Sequence, residues 1–201
     1  MDNPFINTFI SMESLIRKKS IGILVCLVIM IHPAMVFAQD AKLKNIIVTN
    51  TRDDLLIYLT VEGAFRENME TAISSGVPAT FSFFVNLYQT RSFWLDKNIS
   101  ELKILHTIKY DNLKNEYIVE RTWDGNHQRV VKSFEEARKL MAEIDGLKVA
   151  ELIRLEKGNQ YQIRTKAQLS KLTLPFYLHY VLFFVSLWDF DTDWYTIDFI
   201  Y

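Results

Sequence analysis

The stretch Gln160-Tyr-Gln-Ile-Arg-Thr-Lys-Ala-Gln-Leu-Ser170 alternates polar or charged side chains with largely apolar ones. Successive side chains of a β-strand point to opposite faces, so this period of two predicts one face on a core and one in water. A strand divided so evenly is typical of an antiparallel sheet with one wet face. The stretch therefore predicts a mainly β domain.

The same alternation recurs in residues 55–61 and 81–87. Further alternating segments are separated by loops of a length suited to hairpins. Two hairpins are predicted on this basis, one pairing residues 102–110 with 117–122 and the other pairing residues 147–155 with 161–169. The chain as a whole predicts about eight strands.

Two short helices are expected between the strands. Ser133 and Glu136 have the spacing of a capping box, and the apolar stripe that follows predicts a helix that ends at Gly146. A second helix is predicted over residues 66–75. The expected fold is mainly β, an antiparallel β-sandwich with two short helices, and an α+β arrangement is the alternative.

The N-terminal residues have the features of a secretory signal. Arg17, Lys18 and Lys19 precede the uncharged apolar residues 21–37, and Ala38 provides a small side chain before Gln39. We expect residues 1–38 to be a signal peptide, and a start at Met12 would give it ordinary length. Cleavage would leave residues 39–201 as a single periplasmic or extracytoplasmic domain. The alternative is an uncleaved inner-membrane anchor formed by residues 21–38.

Composition excludes several classes of function. Without residues 1–38 the chain keeps 20 Lys and Arg against 22 Asp and Glu, a net charge of −2. This balance argues against nucleic-acid binding. The single cysteine, Cys26, lies in the predicted signal, so the exported form would have no disulfide, thiolate metal site or cysteine nucleophile.

Neither the aspartates nor the histidines form a convincing site. Asp189, Asp191 and Asp193 alternate, but the glycine and glutamate of a helix–loop–helix calcium site are missing, which favours a solvated turn. The three histidines of the exported form stand far apart in sequence, and His106 is expected to be a hydrogen-bonded core or edge residue. We expect no catalytic, metal-binding or cofactor-binding residues.

Residues 174–188 of the exported form are 15 residues without a formal charge, and most of them are apolar. It is too short to cross a bilayer as a helix, which takes about 20 residues. It is either core or an exposed surface that contacts a lipid leaflet or a partner. The candidate interaction surface consists of Phe176, Tyr177, Tyr180, Phe183, Phe184 and Trp188.

Several short motifs occur in a characteristic order: Ser75-Gly-Val-Pro78, Arg91-Ser-Phe-Trp-Leu-Asp96, Tyr110-Asp-Asn-Leu113, Phe134-Glu-Glu-Ala137, Leu174-Pro175, Trp188 and Thr192-Asp-Trp194. In this order the chain resembles the bacterial family called domain of unknown function 4390, over residues 41–199. The resemblance implies an exported envelope protein with no assigned activity or catalytic residues. Members are often encoded beside a sensor kinase of the nitrogen-regulation type, which implies a signalling partner. Residues 176–187 are more apolar here than the family pattern.

The function expected from the sequence is that of a non-enzymatic envelope protein. It would bind a protein partner, such as a sensor kinase or another envelope component, or the membrane surface. The alternative is a carrier that holds a lipid or another apolar ligand between its sheets. An enzyme is the third hypothesis, because no catalytic set is visible in the sequence.

Overall fold

Nine β-strands and two α-helices make up the part of the chain that the computed structural model describes, residues 41–65, 67–125, 127–169 and 190–201. The helices are α1 (Glu67–Ser74) and α2 (Phe134–Ala142), and a 3-10 turn covers Leu152–Arg154. The strands are β1 (Lys42–Asn50), β2 (Asp54–Glu62), β3 (Ala79–Gln89), β4 (Lys97–Asp111), β5 (Glu116–Arg121), β6 (Gln128–Val131), β7 (Glu143–Glu151), β8 (Gln160–Leu169) and β9 (Tyr195–Ile200).

The strands form two antiparallel sheets. One has three strands in the order β1-β2-β7, and the other has six in the order β6-β5-β4-β3-β8-β9. The two sheets share one hydrophobic core. The prediction of a mainly β, antiparallel sandwich with two short helices is confirmed.

Strand β8 shows how the alternation builds this core. Tyr161, Ile163, Thr165 and Ala167 are fully buried, whereas Gln162, Arg164 and Lys166, which alternate with them, are half-buried on the other face. On β3, the central neighbour of β8, Phe81 and Phe83 are also fully buried. The described core is formed by residues between Ala41 and Phe190, and Gln39–Tyr201 form one compact unit. This unit can therefore be studied as a folded domain in its own right.

One of the two predicted hairpins is present, and the prediction of the other is wrong. Tyr110 pairs with Tyr117, so β4 and β5 form the expected hairpin. Strand β7 instead pairs with β2, in the other sheet from β8. The 3-10 turn, where the Leu152 N–H donates to the Asp53 carbonyl at 2.8 Å, carries the chain from one sheet to the other. The loop length was compatible with a hairpin, but the partner strand was set by non-local packing.

Helix α2 begins where the sequence predicted, and it ends earlier. Ser133 Oγ accepts from the Glu136 N–H at 3.4 Å, which caps the helix. The helix ends at Ala142, and Ile144 belongs to β7, where it is 2 % exposed. Gly146 lies at a register shift inside β7 with φ +78°, and an added Cβ would lie 3.3 Å from Tyr58 Oη. Gly146 therefore allows a β-bulge within β7 and does not end a helix.

Two regions with sequence predictions lie outside the described residues. The signal or anchor in residues 1–38 is one of them. The other contains the candidate interaction surface, Phe176, Tyr177, Tyr180, Phe183, Phe184 and Trp188. Within the described ranges, no helix has the length and apolarity that crossing a bilayer requires.

Candidate functional site

The loop between β3 and β4 carries three consecutive large apolar side chains in solvent. Phe93 is 99 % exposed, Trp94 is 77 % exposed and Leu95 is 83 % exposed. These three residues are called the apolar tip below. Burying such a side chain is worth about 1.5–3 kcal/mol, so leaving three of them in water on one loop is costly without a function.

The base of the loop that bears the apolar tip is held by the pairing of β3 with β4 and by contacts with β8. Gln89 of β3 pairs with Lys97 of β4, and the Thr90 N–H donates to the Gln160 carbonyl at 2.9 Å. Arg164 of β8 lies over the Tyr88 ring, 4.7 Å from its centroid, and donates to Asp96 Oδ2 at 3.2 Å. The loop therefore starts from a fixed base and presents its apolar residues beyond it.

Two more exposed apolar residues lie at the same end of the fold. Ile200 of β9 pairs with Gln160, the residue that accepts from Thr90, and is 75 % exposed. Ile153 in the 3-10 turn is 90 % exposed, and its neighbour Arg154 donates to the carbonyl of Ile99 near the start of β4. The opposite end of β4 carries Leu113, 95 % exposed, in the β4–β5 loop.

The charges beside the apolar tip are mostly positive. Arg91 and Lys97 flank it and are exposed, and neither has an ion-pair partner among the described residues. The acidic neighbour, Asp96, is already paired with Arg164. Two cations are therefore available to an anionic surface that meets the tip.

The aspartates of the predicted solvated turn make ordinary surface contacts. Asp191 accepts from Lys166 Nζ at 2.7 Å, and Asp193 is exposed. Asp189 lies outside the described residues. In the described part of the chain, no group of three or more acidic, histidine or cysteine side chains has the geometry of a metal site.

His106 is a buried, hydrogen-bonded core histidine, as the sequence predicted. Its Nε2 accepts from the Trp123 indole N–H at 2.9 Å, so its Nδ1 carries the proton and donates to the Met141 carbonyl at 3.0 Å. Burial lowers the pKa of His106 to about 4, the Met141 bond partly offsets this, and the Arg121 charge adds to it. The ring is neutral at pH 7 and connects β4 to the end of α2 and the turn after β5.

The apolar tip is not among the functional features predicted from the sequence, where residues 91–96 enter only as a family motif. A signal was present, since three large apolar residues stand where a turn between two alternating strands should be polar. The surface that was predicted from the sequence, within residues 174–188, lies outside the described residues.

The model of the family described as "Domain of unknown function (DUF4390)" matches residues 38–198. No curated protein and no solved structure matches the chain.

Proposed function

Because the chain belongs to the DUF4390 family, whose description assigns no activity, we propose its function from the described surface. The protein is a non-enzymatic domain that binds a membrane surface through the apolar tip, on the extracytoplasmic side after export. The observation that carries this proposal is the run Phe93, Trp94 and Leu95, which is almost fully in water on a fixed hairpin.

The energetics suit reversible attachment. Each side chain of the apolar tip would gain about 1.5–3 kcal/mol on leaving water. Arg91 and Lys97 would each add about 1 kcal/mol near anionic headgroups. Trp94 has the amphipathic ring that is enriched at membrane–water interfaces. The summed free energy offsets the entropy lost on attachment, but it is much smaller than the free energy of inserting a transmembrane helix.

The shape of the apolar tip favours a lipid leaflet over a protein partner. A protein surface that takes a protruding loop must offer a matching pocket, whereas a fluid leaflet accepts side chains that point outwards from a narrow hairpin. Ile153 and Ile200, exposed at the same end, would meet the interface as the tip enters. The carrier alternative has less support, because Phe81, Phe83 and Tyr161 fill the space between the sheets.

Vesicle flotation tests the proposal. Residues 39–201 should float with anionic phosphatidylglycerol vesicles, and the triple variant Phe93→Ser, Trp94→Ser, Leu95→Ser should lose at least about 100-fold in partitioning, given the apolar burial removed. Its melting temperature should stay close to that of the wild type, since these side chains have few contacts to lose.

Leu113→Ser is the matched control, because Leu113 is equally exposed in the hairpin at the other end of β4. This variant should float like the wild type. The proposal fails if the wild type does not float, or if the triple variant floats as well as the wild type does.

A further inference from the structure

Strand β4 has an open edge over half of its length. It pairs with β5 only through residues 106–111, although it begins at Lys97. Among the described residues, no strand lies beside residues 97–105 on that side. Strand β7, the edge strand of the other sheet, faces the same space. Together the two edges border an open groove of about 830 Å³.

The backbone of β4 presents unused hydrogen-bonding groups to this groove. The Leu105 N–H donates to Thr122 Oγ1 and its carbonyl accepts from the Thr122 N–H, both at 3.0 Å. Backbone groups of a strand face the same side at every second residue, so those of Lys103 and Glu101 point the same way as those of Leu105. In the described part of the chain, neither residue has a ladder partner on that side.

The groove has an apolar floor and a fixed end wall. Leu102 and Ile104 of β4 lie on one side, and Leu147 and Val149 of β7 lie on the other. Trp123 closes one end, where its indole is held by the hydrogen bond to His106 described above.

Among the residues that line the groove, Lys103, Lys148 and Arg154 are cationic and Glu151 is anionic. Lys148 is paired with Asp54 and Glu151, at 2.8 and 3.2 Å. Lys103 and Arg154 have no carboxylate partner among the described residues. A ligand that brings carboxylates would therefore be complementary to these two cations.

We propose that the groove binds an extended, acidic segment of a partner protein as an added strand on β4. The added strand would lie where β5 would have continued and would pair with residues 100–104. At about 3.3 Å per residue this stretch is roughly 16 Å long, enough for about five peptide residues. Main-chain bonds to Glu101 and Lys103 would hold the segment, and its alternate side chains would meet the apolar floor and the two cations. This site is independent of the apolar tip.

Two matched synthetic peptides test the inference on residues 39–201. One is an eight-residue peptide of alternating glutamate and valine, and the other alternates lysine and valine. The acidic peptide should bind at least tenfold more tightly, and the backbone amides of Glu101 and Lys103 should exchange more slowly with solvent when it is bound. Lys103→Glu, an exposed substitution, should remove the preference.

The triple variant of the apolar tip should bind the acidic peptide as the wild type does, which separates this test from vesicle flotation. Equal binding of both peptides, or no binding of either, would overturn the proposal. So would slow exchange at Glu101 and Lys103 in the absence of peptide, because the edge would then already be occupied.

Discussion

Ile163→Asp should unfold the domain, whereas Thr196→Asp on the neighbouring strand should change its stability by no more than about 0.5 kcal/mol. Ile163 is fully buried between Leu87 of β3 and Ile197 of β9. An aspartate there would lose the apolar burial and place an unpaired carboxylate in the core, at a cost of several kcal/mol. Thr196 is exposed, and its partner across the ladder is Arg164.

Urea titrations followed by circular dichroism measure both changes. The comparison tests which face of the six-stranded sheet is buried at β8 and β9, since the two substitutions introduce the same side chain on opposite faces of neighbouring strands. Similar free energies of unfolding for the two variants would mean that the assignment is wrong.

Lowering the pH from 7 to 4 should remove up to roughly 3 kcal/mol of stability through His106 alone. The pKa of His106 is about 4 in the folded protein, against an ordinary value of 6.5. The unfolded chain therefore takes up the proton first as the pH falls. Stability is fully present above pH 6.5 and is lost towards pH 4, at about 1.36 kcal/mol per pH unit.

The difference between the wild type and His106→Gln isolates this effect from the carboxylates, which titrate in both. His106→Gln will cost stability at pH 7, but the gap between the two proteins should narrow steadily from pH 6.5 to 4. The contribution assigned to His106 would be refuted by a gap that stays constant over this range.

Local patterns in the sequence predicted the strands well because a period of two reports directly which side chains face the core. Alternation in residues 55–61 and 160–169 corresponds to the burial of β2 and β8. Pairing was harder to predict, because whether β7 joins β2 or β8 depends on contacts far apart in the chain. The end of α2 was misplaced for the same reason, since Ile144 fits a helical stripe and also the core-facing side of β7.

The contacts of charged side chains on the outer face could not be predicted from the alternation either. The alternation in residues 160–170 predicts only that Arg164 lies on the face in water. In the structure it lies over Tyr88 and donates to Asp96, so it supports the base of the loop that bears the apolar tip. The period of two gives the face of a residue, but not the partners that its side chain meets there.

The candidate site was also predicted only in part from the sequence. The sequence predicts membrane-surface binding as one of its functions, but it assigns that role to residues 174–188. The apolar tip could be recognised only from the exposure of Phe93, Trp94 and Leu95 in the folded chain, because an apolar turn can also fold back onto a core. The open edge of β4 depends on where β5 ends beside it, which no single segment reveals.

The most direct test of membrane binding is a fluorescent label on the apolar tip. The only cysteine of the chain is Cys26, so residues 39–201 with Leu95→Cys carry one thiol for an environment-sensitive fluorophore. Leu113→Cys provides the matched label at the opposite end of β4. On addition of phosphatidylglycerol vesicles, the label at position 95 should shift to the blue and be quenched by spin-labelled lipid, while the label at position 113 stays unchanged. An unchanged label at position 95, or a response at position 113 alone, would contradict insertion of the apolar tip.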